Sequence, residues 1–112
     1  MKSRIKKEVY QENVFDISHK DSNEEEFSDL YTNKNITIEK ILSYGQITPI
    51  DEPYLQAHNE WVLILEGNVK LKLGDEEVSL QKGESLLIPK NTKHWVTYTH
   101  NPTIWLAVHI KE

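Results

Sequence analysis

From Ile36 onward the chain is a succession of short apolar runs, each cut off by Gly, Pro or Asn. Residues 36–44 are rich in β-branched side chains and stop at Gly45. Residues 46–54 contain Pro49 and Pro53 and read as a loop or an edge segment. Residues 55–65 end at Glu66-Gly67-Asn68. Residues 69–73 (Val-Lys-Leu-Lys-Leu) alternate strictly, the signature of a half-buried strand. Gly74-Asp75 supplies a hairpin turn before residues 77–80, which alternate again. Residues 85–88, 92–99 and 103–110 follow, separated by Pro89 to Asn91 and by His100-Asn101-Pro102. Evenly spaced short strands of this kind build an all-β sandwich or small barrel.

The first third is different. Residues 1–35 read as an N-terminal segment packed on the barrel formed by residues 36–112, and 112 residues suit one domain. Ser22 and Glu25 have capping-box spacing, and Phe27, Leu30 and Tyr31 follow at helical spacing. This predicts a short helix near residues 23–31.

Composition removes several classes of function. With 13 basic and 18 acidic residues the net charge is −5, which disfavours non-specific nucleic-acid binding. The longest unbroken apolar run, residues 61–65, is too short to span a membrane, and no apolar stretch follows the basic N-terminus as in a secretory signal. The absence of cysteine excludes disulfides, thiolate metal sites and cysteine nucleophiles and fits a cytoplasmic protein. Ser43, Ser79 and Ser85 lack the context of a nucleophile elbow. Gly67, Gly74 and Gly83 read as turn residues without phosphate-loop spacing.

Strand alternation selects the candidate site. Gln56, His58, Glu60, Val62 and Ile64 fall on one face, and His94, Val96 and Tyr98 on another. Ionisable groups on otherwise apolar faces need partners. If both faces line one barrel, imidazole and carboxylate meet inside it, a donor set that suits Zn, Fe, Mn, Ni or Cu. The alternative is internal hydrogen bonding, with Glu60 paired to His94 and His58 solvated at the mouth. Glu60 has no evident acidic partner on a facing strand, and His109, near the C-terminus, reads as exposed. Residues 61–65 are apolar on both strand faces, so the outer face meets a second layer, a second subunit or the N-terminal segment.

Two motifs resemble the cupin superfamily. The run from Gly83 through Pro89 to His94 keeps the spacing of the second cupin motif, with Asn91 where the family has glycine. Glu60, followed after six residues by Gly67, keeps the end of the first motif. The resemblance covers residues 36–110 and extends to small single-domain bacterial cupins of unassigned reaction. It implies a jelly-roll β-barrel with a short N-terminal helical or irregular segment, a small-molecule ligand, a divalent transition metal and a homodimer. The metal ligands it implies are Glu60 and His94. The first motif's two histidines are missing: their positions hold Tyr54 and Gln56, or Pro53 and Leu55 in the alternative spacing. His58 and Gln56 are candidate substitutes, and Tyr54, Tyr98, Val62 and Val96 are candidate pocket residues. Three functions remain open: a metal-assisted enzyme, a metal-free ligand-binding or sensor module, and a packed structural barrel.

Overall fold

The computed structural model describes residues 11–17 and 23–112. These contain eight strands and no helix: β1 (Glu26–Thr32), β2 (Ile36–Ser43), β3 (Asn59–Glu66), β4 (Asn68–Leu73), β5 (Glu76–Gln81), β6 (Ser85–Ile88), β7 (His94–Thr99) and β8 (Thr103–Ile110). They form a five-stranded antiparallel sheet in the order β1-β2-β8-β3-β6 and a three-stranded one in the order β5-β4-β7. The two sheets face each other across one core, giving a jelly-roll β-barrel.

Alternation determines which side chains enter that core. On β3, Glu60, Val62 and Ile64 are buried, while Trp61, Leu63 and Leu65 on the other face are half-buried. Cross-strand register carries the pattern sideways: Ile41 lies opposite Trp105, and Trp105 opposite Ile64. From the smaller sheet, Val69, Leu71 and Leu80 close over this row. Burial of this many aliphatic side chains, at about 1.5–3 kcal/mol each, is the main stabilising term.

Three sequence expectations change. The segment expected to be helical near residues 23–31 is largely strand β1. Its ladder to β2 places Phe27 opposite Ile41, so sheet pairing overrides the local helical spacing. Ser22, half of the apparent capping box, lies outside the described residues. Glu25 accepts a hydrogen bond from Ser43 Oγ (2.5 Å) instead.

Second, the strand expected over residues 55–65 begins only at Asn59. The preceding segment runs beside β7: Tyr54 and His94 exchange backbone hydrogen bonds of 2.9 and 3.0 Å, and Asn91 N–H donates to Gln56 O. Third, β7 carries a bulge. Lys70 pairs with Tyr98 but Leu71 pairs with Val96, so Thr97 is an extra residue. A bulge reverses the alternation beyond it. Thr99 therefore points inward, and Tyr98 is 41% exposed.

Candidate functional site

The barrel holds a cavity of about 240 Å³ that opens to solvent beside Phe27 and Tyr54. Glu60 enters it from β3, where it sits opposite His109 on β8 and Ile88 on β6. His94 enters from β7 in the facing sheet. Tyr54 and Gln56 come from the segment tethered to β7, and Val62 and Val96 form part of the apolar wall. Six of the eight candidate residues thus meet in one space.

The other two do not line it. Tyr98 is turned out by the bulge. His58 precedes the first regular position of β3, so alternation does not carry it to Glu60's face. Its ring instead meets His109 edge-on, with His58 Nε2 2.9 Å from His109 Nδ1.

Inside the cavity, the polar atoms are constrained by their neighbours. His94 is 4% exposed, and its Nδ1 lies 2.9 Å from Thr92 O. A carbonyl only accepts, so Nδ1 carries a proton, and in the neutral ring Nε2 is the acceptor. The Tyr54 ring stacks on the imidazole at 5.4 Å. Gln56 donates its side-chain amide to Glu60, and its Oε1 is buried with no partner among the described residues.

Burial pushes the Glu60 carboxyl above its usual range; nearby His109, His94 and the Gln56 bond only partly oppose this. Burial also raises the Tyr54 phenol, helped by Glu25, Glu60 and Glu39, so the hydroxyl stays protonated.

Four polar contributors lie beyond the predicted set. Glu25, Glu39, His109 and Trp105 all line the cavity or its walls. His109 is not exposed: its Nε2–H donates to Glu39 Oε1 (3.0 Å). That bond raises its pKa despite burial, while burial and the neighbouring His109 and Lys111 lower that of His58. These opposite shifts favour His109 as the donor to both Glu39 and His58. Trp105 Nε1–H donates to Ser43 Oγ (3.0 Å), which passes its own proton towards Glu25. Desolvation raises the Glu25 carboxyl, with the Ser43 bond opposing it. Glu60 does have an acidic neighbour, Glu39, on β2 of its own sheet rather than on a facing strand. Glu39 was discernible, since it shares the inward face of β2 with Thr37, Ile41 and Ser43. Glu25 had no such signal.

A model of the cupin domain matches residues 44–109 of this sequence. The chain belongs to the cupin family. A candidate mannose-6-phosphate isomerase from Ralstonia eutropha superposes on this cupin with a TM-score of 0.85 at 29% identity, covering 91% of this chain and 98% of that one. A cupin superfamily protein from Desulfitobacterium hafniense gives 0.73 at 15% identity, with 84% of each chain covered. A conserved protein of unknown function from Streptococcus pyogenes gives 0.72 at 15% identity, with 93% of each covered. A comparison with curated proteins found no match.

The metal expected of a cupin meets a poor donor set here. Tyr54 and Gln56, at the first-motif histidine positions, do line the cavity, but one is a protonated phenol and the other a neutral amide. His58 and His109 bind each other, and Glu39 holds His109. Glu60 and His94 remain, whereas zinc sites use three or four protein ligands. Among the described residues no group of three or more His, Asp or Glu could hold a metal ion. The residues present do not fit a divalent transition ion.

Proposed function

We propose that this cupin binds a small organic molecule inside the barrel without a resident metal. The observation that carries this reading is that Gln56, whose buried Oε1 has no partner among the described residues, and His94 both line a cavity of about 240 Å³. Buried polar atoms are nearly always satisfied, so an orphan on a residue that lines an open space supports a ligand there. The space exceeds the minimum for a single water many times over and suits a compact metabolite.

A second reading adds chemistry to the same pocket. Glu60, with its raised carboxyl pKa, and His94, with an available lone pair, form an acid–base couple across the barrel, as a proton-transfer isomerase requires. The similarity to the Ralstonia protein supports this reaction class. It does not extend to a phosphorylated sugar, because among the described residues no Lys or Arg lines the cavity to receive a phosphate. We also propose a homodimer through the outer face of the five-stranded sheet.

The test is a small-molecule screen by thermal shift on wild type and on Val96→Phe, which fills the cavity from its wall. Hits that vanish in the folded variant support binding in the barrel. Hits that persist unchanged place the binding elsewhere and refute it.

A further inference from the structure

We infer that the cavity selects a small organic cation, a primary ammonium compound with a compact apolar body. This deepens the pocket reading above and rests on it. The inference comes from the hydrogen-bonding sense of the lining. With Nδ1 committed to Thr92 O, His94 in its neutral form presents Nε2 as an acceptor. Gln56 Oε1 is an acceptor without a partner. Glu25, Glu39 and Glu60 add three carboxyl groups.

Donors are few. Both ring nitrogens of His109 are engaged, with Glu39 and His58. The Gln56 amide is given to Glu60. The Tyr54 hydroxyl remains, and among the described residues no Lys or Arg lines the space. An anion here would meet carboxyl groups and lone pairs, with the imidazole of His109 already held between Glu39 and His58; a neutral ligand would bring no charge to offset the ionised forms of Glu25 and Glu60. An ammonium group supplies three donors and a charge of the required sign. Its body has an apolar wall to rest on, and the aromatic faces of Phe27, Tyr54 and Trp105 also line the cavity.

Glu25 and Glu39 lie outside the stretch that matches the cupin model, residues 44–109. The charge preference thus comes from Glu25, just before β1, and from Glu39 on β2, not from the matched stretch.

The test uses three probes of one shape: benzylammonium, benzyl alcohol and benzoate. Each is titrated at pH 7 into the full-length isotope-labelled protein, following the amide resonances of cavity residues. Benzylammonium should bind at least tenfold more tightly than benzyl alcohol, and benzoate should leave the cavity resonances unmoved. Glu25→Gln, which can still accept from Ser43, should weaken benzylammonium several-fold and leave benzyl alcohol unchanged. Benzyl alcohol or benzoate binding as tightly as benzylammonium overturns the cation preference and leaves the pocket standing. An unchanged benzylammonium affinity in Glu25→Gln overturns the part given to Glu25. No response to any probe at tens of millimolar overturns the pocket together with its preference.

Discussion

Glu60 is a carboxylate held where water is scarce, only 7% exposed, and the protein bears the cost of its charge. Because its pKa is raised above 4.5, folding favours the protonated form. Its contribution is favourable below pH 4.5 and is lost as pH rises through the folded value. Glu60→Gln should therefore raise the urea midpoint at pH 7, with the gain disappearing near pH 4. A lower midpoint at pH 7 would show that ionised Glu60 is net stabilising. His109 has the same sign in a higher window. Its pKa is raised above 6.5, so its pairing with Glu39 stabilises fully below pH 6.5 and fades as pH rises through the folded value. The stability advantage of wild type over His109→Gln should shrink across that window in melts at successive pH values. Ser43 is fully buried, accepting from Trp105 and donating to Glu25. Ser43→Ala leaves the indole N–H without its acceptor and should cost about 1–3 kcal/mol in equilibrium denaturation.

At the scale of elements, small irregularities aim the side chains. Thr97 is the extra residue that sends Tyr98 to solvent and Thr99 to the interior. Asn91, standing where the family has glycine, takes a φ of 61°, which asparagine tolerates. The two glycines flanking β4 differ in what they allow. Both have positive φ, but a Cβ on Gly74 would meet nothing within 4 Å. On Gly67 it would lie 2.4 Å from Thr103 Oγ1 and 2.8 Å from Pro102 O. Gly74→Ala should cost about 1–2 kcal/mol, from its left-handed backbone alone. Gly67→Ala should cost at least twice as much, because the strand end must move; equal losses in paired urea titrations would contradict this.

At the scale of the whole molecule, the five-stranded sheet has two apolar faces. One lines the core. On the other, Trp61 lies between Val108 and Leu87, and Val108 lies opposite Ile38. Ile17 packs near one end, against the cluster of Leu42, Tyr44 and Ile104. Leu87 is 49% exposed beside this row. A second copy covering the row would give light scattering a mass of twice the 13.1 kDa chain, and Leu87→Glu should halve it without lowering the melting temperature. A wild-type mass of one chain would refute the interface.

The strand periods, the turn residues and the spacing of Glu60, Gly67, Gly83 and His94 were legible in the sequence because each is local or set by a fixed motif length. They were enough to establish an all-β cupin barrel and to bring Glu60, His94, Tyr54, Gln56, Val62 and Val96 into its interior. The acceptor-lined character of the site was not legible. Glu39 and His109 meet across 70 residues of chain, and Ser43 meets Glu25 across 18, through the β1-β2-β8 pairing. The outward turn of Tyr98 depends on a register shift against β4, and the separation of His58 from Glu60 on where β3 begins. Alternation predicts a face only while the ladder is regular, so it could not reach any of these. Partner strands decide where regularity ends, and in this protein those interruptions shape the site.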